Sequence, residues 1–199
     1  MDRRQFFQKA LHKAAETVVK QSDARVTARA SRWIRPPFAI AELEFLLGCT
    51  RCSDCIAACP QGVIFPLAAR LGADVAGTPA LDLVNKGCHL CTDWPCVNAC
   101  KTAALQRPPE PEASEITRPR LARVKINTAT CLPYQGPECG VCLDACPVPG
   151  ALYIQQERPL IDENVCTGCA LCREACIVEG KAIQVRSLYS EPMMASGQV

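Results

Sequence analysis

Sixteen cysteines in a chain of 199 residues fall into four groups of four, with none left outside a group. The groups are Cys49-x2-Cys52-x2-Cys55-x3-Cys59, Cys88-x2-Cys91-x4-Cys96-x3-Cys100, Cys131-x7-Cys139-x2-Cys142-x3-Cys146 and Cys166-x2-Cys169-x2-Cys172-x3-Cys176. No other feature constrains the fold as strongly. Thiols this close in sequence must converge on shared objects, because they are too crowded to staple distant segments together.

Three uses of cysteine fit such crowding unequally. Structural zinc takes two separated C-x2-C pairs or mixes in histidine. This chain has only His12 and His89, and a third cysteine at x2 spacing is surplus to a zinc knuckle. Disulfide frameworks belong to short secreted chains without a core. Iron–sulfur ligation fits: the first and fourth groups have the bacterial ferredoxin spacing, and Pro60 follows the first. Three cysteines at close spacing wrap one cubane, while the fourth sits a helical turn further on and, in two-cluster ferredoxins, ligates the other cluster. With neighbouring groups interlocked, cluster 1 takes Cys49, Cys52, Cys55 and Cys100, and cluster 2 takes Cys88, Cys91, Cys96 and Cys59. Cluster 3 takes Cys131, Cys139, Cys142 and Cys176, and cluster 4 takes Cys166, Cys169, Cys172 and Cys146. The expected cofactors are four [4Fe–4S] clusters.

The rest of the composition agrees. Five Phe, two Trp and three Tyr leave little bulk for a core, and modules of this size with so few large side chains bury too little to fold unaided. Cluster ligation supplies the missing folding energy, so the metal-free chain is expected to be largely unfolded. The formal charge of +2 hides an asymmetry. Residues 1–35 hold nine Lys/Arg against three acidic residues, whereas the remainder carries 13 basic and 17 acidic residues. Each oxidised cluster with its thiolates adds about −2, so a basic arm precedes a strongly acidic body. No aromatic-interleaved basic platform accompanies the arm, which argues against nucleic-acid binding.

Residues 5–20 read as a short amphipathic helix, with Phe7, Leu11, Ala14 and Val18 on one face. Arg3-Arg4-Gln5-Phe6-Phe7 looks like the start of a twin-arginine export signal, and Ala28-Arg29-Ala30 like a cleavage site. Lys13, Glu16 and Lys20 interrupt every candidate apolar stretch between them. No window is long enough to span a bilayer. A cytoplasmic protein with a partner-docking arm is expected, with periplasmic placement by twin-arginine export as the alternative.

A Pro/Glu-rich connector divides the chain at 107–119. Beyond it, strand patterns occur at Arg123–Ile126, Leu152–Ile154, Pro159–Ile161 and Ile183–Val185. The two inner strands suit a hairpin and the outer two can pair with each other. Strand signals before the connector are weaker, and residues 63–80 read as an insertion. The expected organisation is α+β: a basic helical arm (1–35), a two-cluster ferredoxin module (36–106), the linker (107–119), a second module (120–187) and a flexible tail (188–199). Each module follows the β-α-β-β-α-β scheme.

The chain resembles the ferredoxin-type iron–sulfur proteins of the periplasmic nitrate reductase and methylamine-utilisation systems, the NapG/MauM type. The likeness rests on Arg35-Pro36-Pro37, Gly77-Thr78-Pro79, the x4 gap in Cys91-Thr92-Asp93-Trp94-Pro95-Cys96-Val97, the x7 gap after Cys131, Cys166-Thr167-Gly168-Cys169 and Ala182-Ile183-Gln184-Val185. The twin arginine, the Arg-Pro-Pro element and the x7 gap are shared with the cytoplasmic NapF type. The resemblance implies electron movement toward a terminal reductase or from a dehydrogenase, with a quinol-oxidising membrane protein as a further partner. The chain would then meet the membrane only through that partner. Lys101 and Ile177 stand where proline often follows the fourth cysteine, a position that carries no ligand.

No catalytic constellation accompanies the cysteines. There is no Gly-rich nucleotide loop, His89 reads as a loop residue facing solvent or a cluster sulfur rather than a ligand, and Trp94 and Pro95 shape the longer x4 loop. The expected function is single-electron relay between protein partners as a non-enzymatic carrier. The alternative is an accessory or maturation factor for a metalloenzyme such as a molybdenum reductase.

Overall fold

The computed structural model describes residue 17, residues 21–109 and residues 118–190. Most of the expected amphipathic helix at 5–20, the middle of the linker and the end of the tail lie outside the described residues. A helix, α1, covers 21–30. It is followed by α2 (Glu42–Gly48), α3 (Asp54–Ala57), β1 (Ile64–Pro66), β2 (Pro79–Leu81) and α4 (Pro95–Asn98). The second half contains β3 (Ala122–Ile126), α5 (Leu132–Gln135), α6 (Val141–Asp144), β4 (Leu152–Gln155), β5 (Arg158–Ile161), α7 (Leu171–Ala175) and β6 (Ile183–Ser187).

The strands form three antiparallel pairs. β4 and β5 make the inner hairpin, with Leu152 opposite Ile161 and Gln155 opposite Arg158. β3 and β6, separated by more than fifty residues, pair from Ala122–Ser187 to Ile126–Ile183. Val124, Leu152 and Ile183 turn inward from three of these strands and pack with Cys172 of α7 in one buried cluster.

The first half is a reduced version of this layout. β1 and β2 pair antiparallel across the segment read as an insertion, with Ile64 opposite Leu81. The outer pair shrinks to a bridge between Ala39 and Leu105, extended by Ile40 N–H to Ala104 and Gln106 N–H to Phe38. Prolines explain the shortening: Pro36-Pro37 precede one bridging segment and Pro108-Pro109 follow the other, and proline donates nothing to a ladder.

Residues 29–35 are built into the body. Ala30 and Trp33 are buried with Leu67, Val75 and Ala80, and Arg29 pairs with Asp74 at 2.5 Å. The tightest polar knot is centred on Arg35 and Glu42, 8% and 2% exposed. Arg35 Nη2 lies 2.6 Å from Glu42 Oε1, its Nε donates to Oε2 at 3.0 Å, and its Nη1 donates to Thr78 Oγ1 and the Pro79 carbonyl at 2.9 and 2.7 Å. Trp33 Nε1 donates to the same carboxylate at 3.0 Å, and the guanidinium lies 4.5 Å from the centre of the Phe45 ring. Every charge-bearing atom therefore has partners, which is the condition under which a buried pair survives desolvation. Burial, and after it the nearby Glu42 carboxylate, holds the phenol of Tyr189, beyond β6, above its ordinary value. Ser187 Oγ donates to the Ala30 carbonyl at 2.8 Å.

Removing one partner leaves the other charged and buried. Glu42→Ala should lower the stability of the iron-loaded protein by about 3–5 kcal/mol, read from thermal unfolding. A loss below about 1 kcal/mol, the scale of a surface pair, would show that the knot is not structural.

Candidate iron–sulfur sites

Three of the four short helices that carry a third cysteine are set up by an unusual backbone turn; α6 is the exception, entered from Gly140 at φ −133°. Ser53, Trp94 and Ala170 directly precede α3, α4 and α7 with φ of 66°, 47° and 65°. Arg51, Leu90 and Gly168 directly precede the second cysteine of their groups with φ of 60°, 49° and 77°. Left-handed residues alternating with right-handed ones turn successive N–H groups to one side, making a concave nest for an anion. The Leu90 N–H favours the Cys88 thiolate, the Gly168 N–H that of Cys166, and the Leu171 N–H that of Cys169. Only Gly168 of these residues has a side-chain identity that betrays the turn. A Cβ there would overlap the Ala122 backbone.

The longer gaps are accommodated locally. In the x4 loop, Pro95 opens α4, where its missing N–H costs nothing. Trp94 packs edge-on against Phe38 at 4.9 Å between ring centres. His89 is exposed. The x7 gap is filled by α5, whose Tyr134 hydroxyl donates to the Pro159 carbonyl at 3.0 Å and anchors the loop to β5.

The thiols gather into four sets. After burial, the Cys55 thiol is pushed up to about 11 by Cys49, Cys100 and Cys52. Cys142 rises to about 11 through burial and then Cys131, Cys139 and Cys176. Cys96 reaches about 12, first through burial and then through Cys88, Cys59, Cys55 and Cys91. Burial raises Cys172 most strongly, aided by Cys169, Cys166, Cys146 and Cys142. Each set thus combines three cysteines of one group with the fourth of its neighbour. Cys96 and Cys172 also feel one thiol of the adjacent set in their own half, Cys55 and Cys142 respectively.

Apolar cavities lie beside two of the sets. One, small, is lined by Cys146, Cys166, Cys169 and Cys172 together with Val124, Leu152 and Ile161. The other, equally small, is lined by Cys59, Cys88, Cys91 and Cys96 with Val63, Ile64 and Trp94. Among the described residues, no three His, Cys, Asp or Glu side chains come close enough to share a single metal ion. Thr167 adds a further sign: its hydroxyl is buried without a well-aligned partner, lines the first of these cavities, and favours the Cys169 thiolate. Four thiols, inward N–H groups and an orphaned hydroxyl around an apolar cavity fit a compact anionic cluster.

This geometry agrees with what the chain resembles. No family model and no solved structure matches it. It is 35% identical over 166 residues to the ferredoxin-type protein NapG of Haemophilus influenzae, covering 76% of this chain and 58% of that protein. It is also 35% identical over 168 residues to the methylamine utilization ferredoxin-type protein MauM of Methylobacillus flagellatus, covering 79% and 70% respectively. The chain belongs to the NapG/MauM ferredoxin-type family. The related NapF of Escherichia coli is 32% identical over 158 residues, which are 75% of this chain and 84% of NapF. Like other ferredoxin-type members, this one is an iron–sulfur electron-transfer protein and not itself an enzyme.

Two outcomes follow from the sites. Thiols held at about 11 to 12 are protonated at neutral pH in the metal-free fold, and ligation must expel those protons. Reconstitution with iron and sulfide should therefore become more favourable between about pH 6.5 and 8.5; a flat yield, followed by visible absorbance, would contradict this. Thr167→Val keeps the shape but loses the hydroxyl. One reduction potential should fall by roughly 40 mV, the one-electron equivalent of a hydrogen bond worth about 1 kcal/mol. Potentials unchanged in a titration followed by paramagnetic resonance would remove Thr167 from the site.

Proposed function

We propose that this family member carries four [4Fe–4S] clusters in two tandem ferredoxin modules, residues 36–106 and 120–187, and relays single electrons between protein partners. The observation that carries the reading is the exchange of fourth cysteines. Cys100 lies with Cys49, Cys52 and Cys55, and Cys59 with Cys88, Cys91 and Cys96. Cys176 lies with Cys131, Cys139 and Cys142, and Cys146 with Cys166, Cys169 and Cys172. Those four sets are the proposed ligands. Bound clusters supply a reversible one-electron acceptor at each set.

The chain's own residues then do three things. The thiolates fix the centres, the inward N–H groups offset their negative charge, and Val124, Leu152, Trp94 and similar neighbours keep water back. Burial and hydrogen bonds to sulfur set the potentials. The partners we propose are a quinol-oxidising membrane protein or a terminal reductase or dehydrogenase. Among the described residues no helix is long and apolar enough to cross a membrane. We place the protein in the cytoplasm because charges interrupt the candidate export signal, with periplasmic export as the alternative.

The similarity to NapF favours a second reading, an accessory factor that binds an immature metalloenzyme. A relay is reduced and reoxidised by its partners at rates comparable with turnover, whereas an assembly factor leaves turnover of the mature enzyme unchanged. For the clusters themselves, protein purified without oxygen should hold about sixteen iron atoms per chain and give cubane signals on reduction. Zinc in their place, or less than about half that iron, would end the four-cluster reading.

A further inference from the structure

The two halves are joined by more than the linker. Residues 84–88, leading into Cys88, lie against 169–174, at and beyond Cys169. The Cys88 N–H donates to the Cys169 carbonyl at 2.8 Å. The Gly87 N–H donates to Glu174 Oε2 at 2.7 Å, and Arg173 Nε donates to the Val84 carbonyl at 2.9 Å. The other end of that guanidinium reaches the Ile183 carbonyl of β6, so the contact is tied into the second half's sheet. A Cβ on Gly87 would stand 2.6 Å from Leu171 Cδ2 and 2.9 Å from its Cα. Only glycine permits so close an approach of the two backbones. Cys88, Cys169 and Ala170 belong to one buried apolar cluster that also includes Phe45, Trp94, Leu121 and Ala122.

We propose that this junction is the internal crossing point for electrons, so that the four cysteine sets work in an order different from their order along the chain. The sequence runs from the Cys49 set to the Cys88 set, across the junction to the Cys166 set, and on to the Cys131 set. This rests on the four-cluster reading and adds the route. At the crossing one electron is lost by the centre at one set and gained by the centre at the other; no bond forms or breaks and no proton moves. Tunnelling weakens steeply with the gap, and here the gap is bridged by a dry peptide contact, Cys88 N–H to Cys169 C=O.

Exposure fits the same order. The Cys88 and Cys166 sets each contain two buried thiols, Cys88 and Cys96 in one and Cys169 and Cys172 in the other. The two end sets contain one each, Cys55 and Cys131, and Cys52 is exposed. Apolar side chains open to solvent flank the ends: Leu47, 80% exposed, two residues before Cys49, and Ile177, 66% exposed, directly after Cys176. The ends, with fewer buried thiols, are the ports for partners; the Cys88–Cys169 contact between them is buried, while Val84 at the junction's edge is 56% exposed and Val165, directly before Cys166, 41%. Gly87, Arg173 and Glu174 are positioning residues that hold the halves at the crossing distance.

The test uses the full iron-loaded chain, Gly87→Val, which drives a branched side chain into Leu171, and the double variant Arg173→Ala/Glu174→Ala, which removes two of the polar ties without adding bulk. Paramagnetic resonance of the fully reduced proteins reads magnetic coupling between neighbouring clusters. Both variants should keep wild-type iron content while losing part of the coupling, seen as narrower signals with severalfold slower relaxation. Reduction by a donor at one end should also reach the far half more slowly. Wild-type spectra and wild-type filling of both halves in either variant would overturn the junction. If Gly87→Val does not accumulate, the double variant decides alone by the same two readings. The iron count of the unmodified protein is taken first: a chain without cubanes would overturn the reading beneath, whereas full iron with unaltered coupling in the variants would overturn only the route.

Discussion

Thiolates repel one another, and burial makes the repulsion worse. Four of them can face one apolar cavity only as neutral thiols or around a cluster that carries positive iron. The high thiol pKa values at Cys55, Cys88, Cys96 and Cys142 are the measure of that constraint in the metal-free fold. Everything else in the structure is arranged around it. The short helices α3, α4, α6 and α7 carry the third cysteines, the antiparallel pairs hold the loops at the right separation, and the apolar side chains are spent lining cavities. A chain with so little aromatic bulk has no other core to fall back on.

The N-terminal residues meet the body through a different kind of interaction. Arg35 and Glu42 are buried together with Trp33, Phe45 and Thr78, and Tyr189 closes over them from the end of the second half. Arg29 and Ala30 tie the same corner to Asp74 and Ser187. The end of α1 and the segment after it thus fasten the insertion, α2 and the last strand at one place. A hydrophobic knot could supply as much energy, but it would not fix the direction in which the chain enters each element. The bidentate guanidinium–carboxylate geometry does.

Much of this was legible in the sequence. The thiol groups could be counted, and the alternation in Arg123–Ile126 and Ile183–Val185 pointed to the long-range β3–β6 pair. What could not be read is the path of the main chain. Arg51, Ser53, Leu90, Trp94 and Ala170 adopt left-handed conformations that their side chains do not favour, so no residue-type signal marks them. The first half's outer strands shrink to a bridge because prolines flank them, a cue present in Arg35-Pro36-Pro37 but overshadowed by the ferredoxin pattern. The helix α2 lacks a side-chain cap and so announces itself weakly. Gly87 gave no sign at all, because the surface it serves is formed by residues more than eighty positions away.

The inward-turned N–H groups also bear on how such a protein can change over time. Peptide N–H groups favour the thiolates at Cys88, Cys131, Cys166 and Cys169, and any substitution preserving the turn leaves them in place. Relatives that share about a third of their residues, as NapG and MauM do with this chain, can therefore drift widely in side chains while keeping the same electrostatic surroundings at sulfur. Adaptation of the electron affinity to a new donor or acceptor is then left to the few side chains that reach a thiol directly, and a hydroxyl such as that of Thr167 becomes one of the few dials within reach of selection.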